Sequence, residues 1–354
     1  MLIYSDKQDI EIVRTLARSL KVEQLSDKIK TLFDANNIKV KHLNPGYSST
    51  NDVYEVSSDD GACIIKVAKS HSDTPNTFWQ GLFSLFGLTQ EISIQNQEAV
   101  VNYLNQKGTI LAPKIVKAEP STQNTLEKPF VILEKMQGDS PSQNSKLETQ
   151  VMQDKQLAYQ LGQHIGLLHK ENKNYFGCFE TQKHALSEWP QKLHDTIKLL
   201  GKSRKALQNQ EVQQVLPYYL KEALKVKPPT STSLIMLDCW PSQFLASQNR
   251  LTACIDIEAY VVGPKALELT LIELWLSALD PFKKGYFEVN PSWPEEIEDN
   301  REVYRFFLFL LYGCPEKGLE ACIYSNDKFP KGDKLTATMQ APKLKPPGYP
   351  GPIK

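Results

Sequence analysis

The chain has 354 residues, of which 41% are hydrophobic and 23% charged, the ordinary composition of a folded globular protein and not of a disordered one. Lys and Arg number 41, as do Asp and Glu, for a formal net charge of zero, so composition gives no electrostatic basis for a nucleic-acid partner or an anionic membrane. Six cysteines (Cys63, Cys178, Cys239, Cys254, Cys314, Cys322) form no C-x-x-C pair, which argues against structural zinc and for reduced thiols in a cytoplasmic protein.

Residues 9–36 place Ile12, Leu16, Leu20, Leu25, Ile29 and Leu32 at helical spacing and predict a helix, with charges that rule out the apolar core of a signal peptide. The period then changes. Residues 38–43 alternate apolar and polar, as a half-buried strand does; Asn44-Pro45-Gly46 breaks the run, and residues 53–56 resume it. Asp59-Asp60-Gly61 predicts a hairpin turn into a third strand over 62–67, which carries Lys66 in an apolar run. Residues 70–93 read as an irregular insertion whose Phe78, Trp79, Leu82, Phe83, Leu85 and Phe86 suit an amphipathic helix; residues 78–90, the longest uncharged apolar stretch, are too short and polar to span a bilayer. A helix over 95–106 stops at Gly108, and strands follow at 114–116 and 130–134.

Beyond Gly138 the pattern turns helical, with predicted helices over 156–172, 193–200, 212–226, 267–279 and 301–312. Two β-rich pieces interrupt them at 234–245 and 251–257, and an Asn249-Arg250 turn would join the two as a hairpin. The tail from Gln340 has five prolines, which excludes a core helix and leaves an extended or disordered segment.

The two β-rich pieces carry the chemistry. Asp238 stands at the end of one apolar strand with Gln243 five positions on, and Asp256 ends the other, eighteen residues after Asp238. Folded as a hairpin, they bring Asp238, Gln243 and Asp256 to one mouth. Taken singly, Asp238 would serve as a turn or cap residue and Lys66 as an edge lysine with its stem on apolar surface. Likewise His164 and His169 fit structural places on an apolar helix, and Trp240 fits loop packing.

In order, the segments resemble the aminoglycoside phosphotransferase, choline kinase and fructosamine kinase group. That group has a His-Gly-Asp-x-x-x-x-Asn loop followed by Ile-Asp-x-Glu and Gly-x-Pro, and this chain offers Asp238, Pro241, Gln243, then Ile255, Asp256, Glu258, then Gly263-Pro264, with Glu268 opening the next helix. The resemblance, which runs from about 43 to 279, implies an α+β, protein-kinase-like bilobal fold. Its antiparallel-sheet N-terminal lobe would span 1–136 and its mainly helical C-terminal lobe 137–339, before a Pro-rich tail at 340–354. It also implies ATP as cofactor with Mg²⁺ or Mn²⁺, Asp238 as catalytic base, and Gln243 and Asp256 as metal ligands. Lys66 would contact phosphate with Glu98 as its ion-pair partner (Glu91 being the alternative), Ser48, Ser49 and Thr50 would cover the phosphates, and Glu134 and Met136 would mark the adenine hinge. Two departures stand out: Met236 replaces the loop histidine, and Gln243 replaces asparagine, which moves the amide oxygen outward by about a bond length at a site where Mg²⁺ demands near-ideal geometry. The implied function is transfer of the γ-phosphate of ATP to a hydroxyl of a small molecule; a pseudokinase, acting as a nucleotide-binding or protein-interaction module, is the alternative that the departures raise.

Overall fold

The computed structural model describes residues 24–33, 37–43, 50–69, 76–140, 145–316, 318–325 and 327–329. The expected helix over 9–23 and 34–36, Ser48, Ser49 and the tail at 340–354 lie outside the described residues. Two compact units divide the chain, one made of Met1–His71 with Lys114–Lys135 and the other of Ser72–Pro113 with Met136–Lys354.

The first unit is one antiparallel sheet with a helical turn packed on it. Helix α1 covers residues 24–30, and the strands are β1 (Lys39–His42), β2 (Asn51–Ser58), β3 (Gly61–Ala68), β4 (Ile115–Glu119) and β5 (Phe130–Glu134), in the order β1-β2-β3-β5-β4. The β2–β3 hairpin closes at Asp59-Asp60, where the sequence placed its turn, with Ser58 paired to Gly61. Alternation sorts the side chains. Tyr54, Val56, Ile65, Val67, Phe130 and Ile132 share one face and form a core with Ile29 of α1. Leu25 and Leu32 pack on it as the helical spacing predicted. Lys66, between Ile65 and Val67, therefore stands on the opposite face of β3.

The second unit opens with α2 (Thr77–Phe86) and α3 (Gln90–Lys107). Residues 70–93 are thus largely helical, and α3 begins five residues earlier than the apolar spacing suggested. Residues 72–113 also group with the helical unit, where the sequence reading had put them in the N-terminal lobe; α2 packs on α6 (Trp189–Leu200) and on α11 (Glu296–Leu311), and α3 on α5 (Lys155–Lys170). The remaining helices are α4 (Ser145–Gln153), α7 (Arg204–Gln208), α8 (Gln210–Ala223), α9 (Lys265–Glu273), α10 (Leu279–Val289) and α12 (Leu319–Ile323). Strands β6 (Tyr175–Gly177), β7 (Lys183–Ala185), β8 (Ser233–Met236) and β11 (Tyr260–Gly263) form a four-stranded sheet in the order β7-β6-β11-β8, while β9 (Phe244–Ser247) and β10 (Arg250–Cys254) pair as a hairpin.

Helix α10, which contains Pro281 and Gly285, is not among the helices the apolar spacing predicted. Pro281 sits in the first turn, where no intrahelical N–H is required of it. Gly285 lets α10 meet α5 closely, since a Cβ there would stand 2.1 Å from the Tyr159 carbonyl oxygen. Among the described residues no helix is long and apolar enough to cross a membrane, and all six cysteines are free thiols.

Candidate active site

Strand β8 is fully buried, so its end is fixed by packing, and the chain turns out of it at Leu237 and Asp238. The turn is short. Trp240 N–H donates to the Asp238 carbonyl at 2.9 Å, Gln243 N–H donates to the Trp240 carbonyl at 3.0 Å, and Pro241–Gln243 form a single 3-10 turn before β9. This brings the amide of Gln243 back onto Asp238: its Nε2 donates to Asp238 Oδ2 at 2.8 Å. Both side chains remain partly exposed.

Strands β9 and β10 then return the chain. The hairpin turns on Gln248 and Asn249, both at positive φ (49° and 58°), with Ser247 paired to Arg250. The turn therefore falls one residue earlier than expected, because a two-residue hairpin of this twist needs positive φ at both central positions and Asn accepts that conformation far more readily than Arg. At the far end Ile255 N–H donates to the Gln243 carbonyl at 2.8 Å. Asp256, also partly exposed, thus follows directly on a residue tied to Gln243. Gln243 meets Asp238 through its side chain and is tied by its backbone to the neighbour of Asp256, although β8, which precedes Asp238, pairs with β11 and not with this hairpin.

The segment leaving β5 is anchored to the same hairpin. Asp139 and Ala246 exchange backbone hydrogen bonds at 2.9 and 3.1 Å, and Thr252 Oγ1 donates to the Gln137 carbonyl at 2.7 Å. Gly138 between them has φ +131°, and a Cβ would stand 2.5 Å from Thr252 Oγ1, so both conformation and space call for glycine.

The loop is braced from behind by residues that the motif did not advertise. Glu268, fully buried on α9, accepts the Met236 N–H at 2.5 Å through Oε1 and bonds His169 Nε2 at 2.8 Å through Oε2; His169 Nδ1 lies 3.1 Å from the Tyr286 hydroxyl. Tyr312, at the end of α11, donates its hydroxyl to the Leu237 carbonyl at 2.5 Å. A methionine in place of the loop histidine therefore does not leave the backbone unsupported. Glu268 was legible as an acidic residue five positions after Gly263, whereas nothing in the sequence marked Tyr312. Beside the site, burial pushes the Cys239 thiol well above its usual range, with the Glu268 charge acting in the same direction, as suits a thiol packed as a small apolar side chain. Burial, and then the charge of Asp238, raises the Tyr312 phenol likewise.

The other expected site residues fall in both units. Lys66, only 9% exposed, and Thr50 and Glu134 belong to the first unit, where Glu134 N–H donates to the Lys114 carbonyl at 2.9 Å. Glu98 is exposed on α3 and Met136 is half-buried at the start of the anchored segment, both in the second unit. The side chain of Glu91 lies outside the described residues.

A cation at this mouth would find oxygen donors. With its nitrogen given to Asp238, Gln243 presents its amide oxygen, and Asp256 supplies a carboxylate. These are hard ligands that suit Mg²⁺. Among the described residues no group of three or more His, Cys, Asp and Glu could hold a metal ion by itself.

The sequence pattern of the phosphotransferase enzyme family matches residues 42–295, and no curated protein matches the whole sequence significantly. Among solved structures, the chain is similar to the microcompartment-associated aminopropanol kinase, with a TM-score of 0.55 at 15% identity over 85% of this chain and 93% of that one. A Haemophilus somnus 129PT protein assigned as a fructosamine-3-kinase gives a TM-score of 0.52 at 11% identity, covering 78% of this chain and 84% of that one. The GDP complex of aminoglycoside 2'-phosphotransferase-IIIa gives 0.50 at 16% identity, covering 85% and 89%. At such identities the likeness shows the architecture, an α+β bilobal protein-kinase-like fold.

Proposed function

The chain belongs to the phosphotransferase enzyme family, and on that premise we propose that it transfers the γ-phosphate of ATP to a hydroxyl group of a small molecule, with Asp238 as base. The observation that carries this reading is the bond from Gln243 Nε2 to Asp238 Oδ2 at 2.8 Å, combined with the backbone tie that sets Asp256 beside Gln243. An amide donor on Oδ2 fixes the plane of the Asp238 carboxylate, the group assigned to orient an acceptor hydroxyl and take its proton. In the transfer, the acceptor oxygen forms a new bond to phosphorus, the bridging phosphate oxygen leaves with the electron pair as ADP, and the hydroxyl proton passes to Asp238.

Asp256 and the Gln243 amide oxygen are the ligands assigned to Mg²⁺, which when bound neutralises phosphate charge. Lys66, nearly buried on the face of β3 opposite the core, is assigned to phosphate, with Glu98 as its partner; Ser48, Ser49 and Thr50 are assigned to the covering loop, and Glu134 and Met136 to the adenine hinge. Asp238→Asn should abolish transfer and preserve nucleotide binding; full activity in that variant would remove Asp238 from its role. A second reading, a nucleotide-binding or protein-interaction module without transfer, is favoured by Gln243 standing where the family has asparagine. Gln243→Asn separates the two: a gain of metal-dependent transfer over an inert parent supports the silent module, and loss from an active parent supports the enzyme.

A further inference from the structure

Four aromatic side chains gather against the catalytic loop. Trp240 lies two residues beyond Asp238 and meets Tyr312 edge to face, with ring centroids 5.4 Å apart at 77°. Tyr312 stacks on Phe78 of α2 at 5.8 Å and 28°, and Phe78 meets Trp79 at 5.9 Å and 85°. The hydroxyl of Tyr312 is bonded to the carbonyl of Leu237, the residue before Asp238, so this row of rings is tied to the backbone of the loop that carries Asp238. Three segments remote in sequence supply it: the helix at 77–86, the catalytic loop and the end of α11.

On α2, Leu82, Leu85 and Phe86 are fully buried and make its core contact, while Phe78, Trp79, Trp240 and Tyr312 all stay partly exposed. Partly exposed aromatic side chains beside this loop suit contact with the face of a ring, at little cost in side-chain entropy. Aromatic faces also attract cations, and charges of both signs stand near this wall, since the Asp238 carboxylate acts on the Tyr312 phenol while a lysine lies over the residue that follows Tyr312. Lys205 lies over Gly313, with Nζ 3.8 Å from the point where a Cβ would stand, and its charge acts on the thiol of Cys314.

We propose that this aromatic wall is the acceptor subsite of the phosphotransfer reading given above, on which the inference rests, and that it takes a hydroxylated acceptor with a flat apolar or aromatic ring in preference to a polar acceptor that lacks one. Trp240 and Phe78 position the acceptor; Asp238 receives its proton.

Phenyl β-D-glucopyranoside, uridine and kanamycin, offered with ATP and Mg²⁺, test the proposal, with nucleotide binding followed separately by calorimetry. The expected result is transfer to at least one of the first two in preference to kanamycin. Removing a stacking ring worth up to about 1.5 kcal/mol should raise the acceptor KM by about tenfold in Trp240→Ala and in Phe78→Ala. In Phe78→Ala, which leaves the catalytic loop intact, kcat should change little, and Trp240→Phe should restore most of the loss. Preference for kanamycin, an acceptor KM unchanged in both alanine variants, or nucleotide binding without transfer to either ring-bearing probe would overturn the subsite. A wild-type chain that binds no nucleotide would overturn the phosphotransfer reading and this inference with it.

Discussion

Removing the carboxylate of Glu268 should loosen the catalytic loop from behind. Glu268 is fully buried and accepts two hydrogen bonds, from Met236 N–H and from His169 Nε2. Hydrogen bonds to a charged partner contribute roughly 1.5 to 3 kcal/mol each, and breaking a buried pair by deleting one member costs about 3 to 5 kcal/mol. Glu268→Ala should therefore destabilise the second unit by about 4 kcal/mol, because both donors are stranded without water. Glu268→Gln keeps an oxygen for Met236 and alters only the contact with His169, so roughly half that loss is expected. Urea unfolding followed by tryptophan fluorescence measures the first quantity, and amide exchange across residues 233–237 tests its location, since the Met236 amide should lose protection in Glu268→Ala and keep it in Glu268→Gln. A Glu268→Ala protein within about 1 kcal/mol of the parent, or exchange at Met236 unchanged, would refute the brace.

Three further outcomes follow from buried groups and close approaches. His164 is wholly buried, with Nδ1 accepting the N–H groups of Thr109 and Ile110, and burial lowers its pKa to about 4. The unfolded chain takes up this proton near pH 6.5 and the folded chain does not, so stability should fall by about 3 kcal/mol as pH drops from 6.5 to 4; His164→Asn, which keeps an acceptor, should flatten that limb in urea titrations, and an unchanged slope would contradict the assignment. Gly138→Ala must strain a backbone at φ +131° and press on Thr252 Oγ1 and Leu245, and a loss of about 2 kcal/mol is expected by denaturant midpoint. Glu273 accepts from Arg301, Arg305 and Phe329 N–H in the core; Glu273→Ala should cost about 3 to 5 kcal/mol and open residues 319–329 to limited proteolysis, because Arg305 also holds the carbonyls of Ile323, Ser325 and Asp327.

The β9–β10 hairpin was legible because its determinants are local, but β8, the apolar strand that Asp238 follows, pairs with β11 and is not part of that hairpin. The sheet of the first unit was legible for the same reason, through alternation around Lys66 and the Asp59-Asp60-Gly61 turn. What escaped depends on contacts remote in sequence. Gly285 has no evident role in a helix until the Tyr159 carbonyl beside it is known, and residues 72–113 look like part of the sheet domain until α2 is found packed on α6 and α11. Tyr312 supports the loop from a helix end some seventy residues away, with no spacing to betray it. Hairpin turns err by a residue for a different reason: Gln248 takes positive φ because the register of β9 and β10 imposes it, against its own preference.

The central claim is that Asp238, Gln243 and Asp256 form a nucleotide and metal site, and a thermal-shift titration with ATP, with and without Mg²⁺ or Mn²⁺, tests it most directly on the parent and Asp256→Ala. Ligand at about 100 times its dissociation constant stabilises a folded chain by roughly 2.7 kcal/mol. A metal-dependent rise in Tm that disappears in Asp256→Ala is the predicted result. No rise with either metal, or a rise undiminished in Asp256→Ala, would contradict the site.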